Sequence, residues 1–292
     1  MQLKIEKGTF KDYSLKDISD ALETNLFSLD ETTKTIKDVN PDLIINAAAK
    51  VGGILANNTF RTEFILENLK ININILEALI NFPSIKLINL GSSCIYPLNA
   101  SIPTAEESLM NGKLEPTNSP YAMAKIAAIE MGNALKSQYG HKIINLMPTN
   151  LYGPNDNFDL TTSHVLAALI NKITYAKKHK KKSVEIWGTG KPKRDFLHVN
   201  DLADAVCFLA EKYSASEPIN VGSSREISIK ELAETIAKLV GWNGTFSFNQ
   251  SMPDGTILKK LDTTKINDLG WHPKIDIKTG IKQTIKEYEK SL

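Results

Sequence analysis

The stretch DLIINAAAKVGG, residues 42–53, sets a short apolar run against a tail of small residues. DLIIN reads as a covered strand of a parallel sheet, which is apolar on both faces and ends in turn-forming residues. Four further runs take this form: IKLINL at 85–90, KIINLM at 142–147, VEIW at 184–187 and PINV at 218–221. Between the first two strands, Ile65, Leu69, Ile73, Leu76 and Ile80 recur at three- and four-residue spacing. That spacing predicts one apolar helical stripe and, with its flanking strands, a βαβ unit. Further helices are predicted over 121–135, after an N-cap at Asn200, and from Ser228 to Gly241, where Glu231 completes a capping box. Short strands alternating with long helices predict an α/β fold with a Rossmann-like, doubly wound parallel sheet.

Each strand run is followed by a small or polar segment: AAAKVGG, GSSCIYP, PTNLYGP, GTG and GSS. Ligands of open parallel sheets bind at the carboxyl ends of the strands, so the five segments are expected to line one crevice. Composition limits the rest. With 42% hydrophobic and 23% charged residues, the 292-residue chain can bury a full core and is not of the disordered class. A net charge of +2 gives no footprint for nucleic acid, and no apolar run is long enough for a membrane helix, so a cytoplasmic protein is expected. Cys94 and Cys207 are too few for a disulfide framework and lack metal-site spacing, so no metal is expected. Three of the 35 basic residues are arginine (Arg61, Arg194 and Arg225), and the lysine run at 177–182, interrupted by His179, reads as a solvated loop after a helix rather than a phosphate-binding patch.

The strongest local signal is Tyr121 with Lys125 in SPYAMAK, following Ser92 and Ser93 at a strand end. Residues four apart share a helix face, so the Lys125 ammonium is expected beside the Tyr121 hydroxyl, favouring its ionised form and allowing proton transfer near neutral pH. Taken alone, this spacing more often marks a helix surface pair. An isolated cysteine is usually a small buried hydrophobe, and an isolated histidine usually a surface or capping residue.

Placed after GSSCIYP, the Ser…Tyr-x-x-x-Lys arrangement resembles the extended short-chain dehydrogenase/reductase superfamily. AAAKVGGILANN, LGSSCIYP, LEPTNSPYAMAKIA, MPTNLYGPNDNF, SHV, WGTGKPKRDFLHVNDLA and PDGT are similar, in order and spacing, to the GDP-L-fucose synthase family from residue 42 to the carboxyl terminus. The resemblance implies NADPH-dependent 3,5-epimerisation and 4-reduction of a GDP-linked 4-keto-6-deoxy sugar by a homodimer. It makes Cys94 the base, His164 the acid on the other sugar face, Tyr121 the proton donor at the ketone, Ser92 the carbonyl-orienting hydroxyl and Lys125 the partner of Tyr121. The NADP(H) site would comprise Leu90, Gly91, Ser92, Ser93, Lys125, Pro148, Thr149, Asn150, Leu151 and His164. The substrate would contact Lys172, Trp187, Arg194 and Asp254. Lys172 departs from the family's arginine, which leaves a single rather than a forked phosphate contact.

Residues 1–51 hold one glycine, Gly8, so the expected sheet lacks the first βα unit with its glycine-rich loop. A shortened chain, a true loss and a remodelled cofactor site all remain open. Residues 1–150, rejoined by 196–222, are expected to form the cofactor lobe, and 151–195 with 223–292 a smaller substrate lobe. Two alternatives stand beside this reading: another extended reductase or epimerase acting on a nucleotide sugar, and a non-catalytic nucleotide-sugar binding protein.

Overall fold

The computed structural model describes residues 24–292 apart from Ser216 and Pro253. Helix α1 (Leu29–Val39) starts where the Ser28 side chain accepts from the Glu31 amide, and stops at Asn40 in the left-handed conformation. It leads into strand β1 (Leu43–Asn46). Helices α2 (Ile54–Thr59) and α3 (Arg61–Leu79) connect to β2 (Lys86–Leu90), and α4 (Ser119–Tyr139) connects to β3 (Ile143–Pro148). Then follow β4 (Asn150–Tyr152), α5 (Val165–Lys178), β5 (Ser183–Trp187), β6 (Lys193–His198), α6 (Val199–Lys212) and β7 (Ile219–Val221). The chain ends through β8 (Glu226–Ser228), α7 (Ile229–Val240), β9 (Thr245–Asn249), β10 (Leu258–Lys259), α8 (Thr264–Asp268) and α9 (Ile277–Lys290).

The central sheet has the order β1-β2-β3-β7, and all its pairings are parallel. Alternation places Leu87 and Ile143 against α1 and α3 on one face, and Ile88, Leu90, Ile144 and Leu146 against α6 on the other. The doubly wound expectation is met. A second set of strands, β10-β6-β4 with β8 on β6, begins where the chain leaves the central sheet between Pro148 and Asn150. A further core around Tyr152, Ile170, Ile186, Ile236 and Ile281 fills the carboxyl-terminal half. Among the described residues β1 pairs with β2 only. The expected absence of the glycine-rich unit falls on residues that lie outside the described ones.

The predicted strands lie within two residues of the observed ones, but VEIW is not a member of the central sheet. Strand β5 pairs with β9 in a two-stranded parallel sheet of its own. The stripe on α3 is also corrected, since Ile73 and Ile80 are exposed, whereas Phe64, Asn68, Ile71, Asn72, Ile75 and Leu79 are buried. The apolar period failed because this face carries two asparagines that the fold satisfies internally. Asn72 Oδ1 accepts from Asn46 Nδ2 (3.2 Å), Asn46 Nδ2 also reaches Asn89 Oδ1 (3.0 Å), and Asn68 exchanges hydrogen bonds with the Lys50 backbone. Helix α6 is capped by His198, whose Nδ1 accepts from the Asn200 amide, so Asn200 lies inside the helix. Helix α7 has the predicted capping box and ends at Gly241 in the left-handed conformation.

Candidate active site

Two ties bring the carboxyl ends of the strands together. Asn68 on α3 clamps the segment after β1 through Lys50, and the Gly53 amide then donates to the Thr162 carbonyl (3.0 Å), two residues before His164. A Cβ on Gly53 would stand 2.7 Å from the Ser163 carbonyl oxygen, so glycine permits this approach. His164 is the N-cap residue of α5, but its side chain caps nothing and, although part of the residue reaches solvent, its ring is crowded by neighbouring atoms. Its imidazole is therefore not committed to the helix. Desolvation, and then the charge of Lys259, lower its pKa below the ordinary histidine value.

After β2, the Ser92 hydroxyl accepts from the Cys94 amide (3.3 Å) and opens a single turn over Ser93–Ile95. Asn118 precedes α4, whose first turn carries Pro120. Tyr121 packs edge-on to Phe64 at 6.2 Å, in a cluster with Ala56 and the side chain of Cys94. The Cys94 sulfur is half-buried, 3.6 Å from Asn118 Nδ2 and 3.5 Å from Lys259 Nζ on β10.

Lys125 lies 5.8 Å above the Tyr121 ring centroid, but its Nζ donates to the Leu90 carbonyl at 2.7 Å. The residue is 3% exposed, and burial lowers its pKa to about 8. The Tyr121 phenol is pushed up, first by burial and then by the neighbouring Cys94, with Ser92 acting in the opposite sense. This corrects the expected lowering of the Tyr121 pKa: desolvation dominates, and the lysine ammonium is directed to the strand end.

An ammonium has three donors, and a buried one with a single protein acceptor suits a polar ligand. Beside it, Leu90 and Gly91 close β2, with Ser92 and Ser93 following. Pro148, Thr149, Asn150 and Leu151 form the crossing into the second set of strands. The Thr149 hydroxyl and Asn150 amide both donate to the Asp195 carbonyl, at 3.1 and 2.8 Å, which fixes that crossing. This set fits the nicotinamide-ribose end of a dinucleotide.

The expected substrate residues fall into two groups. Lys172 Nζ lies 5.2 Å from the Trp187 ring centroid and donates to the Glu185 carbonyl (3.2 Å). Arg194 donates to the Lys193 and Thr256 carbonyls, and Gly255 brings backbone to its guanidinium. The Asp254 carboxylate accepts from the Thr189 amide (2.6 Å) and hydroxyl (2.8 Å), so both its oxygens are engaged in joining the GTG turn to the loop before β10. Sequence reasoning missed Asn118 and Lys259. Asn118 lay one residue outside SPYAMAK, and Lys259 was one lysine among many, signalled only by its place after PDGT.

A parallel sheet wound on both faces, with serine, tyrosine and lysine gathered at the carboxyl end of a strand, defines a dinucleotide-dependent oxidoreductase of the short-chain type. Residues 6–222 match the model of the NAD dependent epimerase/dehydratase family. The chain belongs to that family. The match begins upstream of residue 42, where the motifs placed the start of the resemblance. The chain is 51% identical over 249 residues to a probable GDP-L-fucose synthase 1 of Oryza sativa subsp. japonica, covering 85% of this chain and 76% of that protein. It is 46% identical to the GDP-L-fucose synthase of Escherichia coli K12, over 83% and 78% of the two chains. Among solved structures, a GDP-6-OMe-4-keto-L-xylo-heptose reductase from C. jejuni superposes with a TM-score of 0.86 at 34% identity, covering 96% and 90% of the chains. A GDP-L-fucose synthetase from Naegleria fowleri bound to NADP gives 0.84 at 30% identity, covering 91% and 82%.

Proposed function

We propose that this chain converts GDP-4-keto-6-deoxy-D-mannose to GDP-L-fucose, epimerising C3 and C5 and then reducing the C4 ketone with NADPH. The observation that carries the reading is the half-buried Cys94 packed into the Tyr121 cluster, with Lys259 bonded to its sulfur and close enough to His164 for its charge to act there. A reductase alone needs Ser92, Tyr121 and Lys125; epimerisation needs in addition a base and an acid on opposite sugar faces.

In this mechanism Cys94 removes the proton next to the carbonyl and His164 returns one to the opposite face. Ser92 orients the C4 carbonyl, and Tyr121 delivers a proton to its oxygen. The hydride for this reduction would come from NADPH bound beside Lys125. Lys125 binds the nicotinamide ribose, and Leu90–Ser93 with Pro148–Leu151 form the walls around it. Lys172, Trp187 and Arg194 take the GDP end, where the forked guanidinium suits a diphosphate. Asp254 belongs to the same substrate set and shapes its loop through Thr189. Residues 1–150, rejoined by 196–222, form the cofactor lobe, and 151–195 with 223–292 the substrate lobe. The enzyme is multifunctional, a homodimer and cytoplasmic; among the described residues no helix is long and apolar enough to cross a membrane.

Turnover in deuterated water tests the base assignment. The wild-type product should carry deuterium at C3 and C5, and Cys94→Ser should lose this label by about 10²-fold or more while retaining part of the ketone reduction. Full labelling by Cys94→Ser would remove Cys94 from the mechanism.

A further inference from the structure

Strand β10 pairs in parallel with β6, placing Lys259 opposite Arg194. The Arg194 guanidinium donates to the Lys193 and Thr256 carbonyls, both through Nη1. Lys259, half-buried, instead directs its Nζ to the Cys94 sulfur at 3.5 Å. The neighbouring Lys260 turns the other way, to Glu226 at 2.9 Å. Among the described residues no other cation is hydrogen-bonded to Cys94, and Lys125 on α4 is directed to the Leu90 carbonyl. Asn118 is a neutral amide donor at 3.6 Å. Glu115 lines the same pocket, with its Oε2 accepting from the Thr117 amide and hydroxyl and the Asn118 amide. Tyr121, on α4, is a buried phenol, and His164 lies within range of the Lys259 charge. Among the described residues Lys259 is the cation within hydrogen-bonding reach of the sulfur.

A thiol acts as a base only as its thiolate, and an adjacent ammonium favours that form. We propose that Lys259 is a positioning residue that holds the Cys94 sulfur as an oriented thiolate. It does so by a charge-assisted hydrogen bond from strand β10. The proposal rests on the assignment of Cys94 as the base, but it concerns a property of the free protein that can be read without turnover. It gives strand β10, which carries none of the residues singled out by the sequence, a place in the chemistry. The bond depends on register: a shift of one residue in the β10–β6 pairing would bring Lys260 to the position of Lys259.

The test is the pH dependence of iodoacetamide alkylation at Cys94, followed by mass spectrometry of its peptide, in the ligand-free 292-residue protein. Lys259→Met should raise the midpoint by about one pH unit, slowing alkylation about tenfold at pH values below it. Lys259→Arg should restore most of the shift, and Lys260→Met should leave the midpoint unchanged. If Lys259→Met does not fold, Lys259→Gln carries the same test, since it keeps a hydrogen-bond donor without the charge. A folded neutral variant with the wild-type midpoint would overturn the proposal, as would an equal shift in Lys260→Met. Deuterium incorporation by Cys94→Ser judges the base assignment separately, so either idea can fail without the other.

Discussion

Lys125→Met removes an ammonium that is 3% exposed and that burial holds at a pKa of about 8 against an ordinary 10.5. That difference corresponds to about 3 kcal/mol of native-state cost below pH 8. The substitution also strands the Leu90 carbonyl, which loses its 2.7 Å hydrogen bond at a cost of about 1 kcal/mol. The variant should therefore be more stable than wild type at pH 7 by about 2 kcal/mol, or about 4–6 °C in Tm. The pH dependence follows from proton binding. Between pH 8 and 10.5 the unfolded wild-type chain holds more protons than the folded one at this site. Wild-type stability accordingly rises with pH there, and the advantage of the variant shrinks through the same window. Urea unfolding at pH 7 and pH 10 measures both numbers, and an NADPH-oxidation assay should show activity down by about 10²-fold or more. A variant less stable than wild type at pH 7, or an advantage as large at pH 10 as at pH 7, would refute the reasoning.

Tyr121→Phe should slow ketone reduction by about 10²–10⁴-fold while C3 and C5 still exchange with deuterated water; loss of both on the same scale would place Tyr121 in the epimerisation as well. Gly188→Ala should lower the thermal midpoint by several degrees. The residue sits at φ +72° and its Cβ would fall 2.0 Å from Asp254 Oδ1, breaking the Thr189–Asp254 junction, so a melt superimposable on wild type would contradict this account of the turn. Arg194→Lys should raise the KM for the GDP-sugar by about tenfold with kcat little changed, because it replaces a fork by a point charge; an unchanged KM would move the diphosphate elsewhere.

The sequence made the central sheet legible because its strands are apolar on both faces and run into small or polar segments, a contrast that leaves little room for another reading. The cluster of Ser92, Cys94, Tyr121 and Lys125 was legible for a related reason, since two short segments carry it and their strand-end placement is local. What failed was decided by distant partners. The buried face of α3 carries Asn68 and Asn72, which apolar periodicity cannot register because their partners are Lys50 and Asn46. Strand β5 looked like its neighbours, but its pairing partner β9 lies some sixty residues downstream. The Lys125–Tyr121 spacing gave proximity correctly and electrostatics wrongly, because burial and the Leu90 carbonyl enter only with the fold. Lys259 was hidden for the same reason, as its meaning comes from a register with β6 that sets it across from Cys94.

NADPH oxidation by this 292-residue chain supplied with GDP-4-keto-6-deoxy-D-mannose, with the sugar product identified, tests the central claim most directly. The account predicts stoichiometric oxidation and GDP-L-fucose as product. Oxidation yielding a C4-reduced sugar with C3 and C5 unchanged, or no oxidation by folded protein that binds the GDP-sugar, would contradict it.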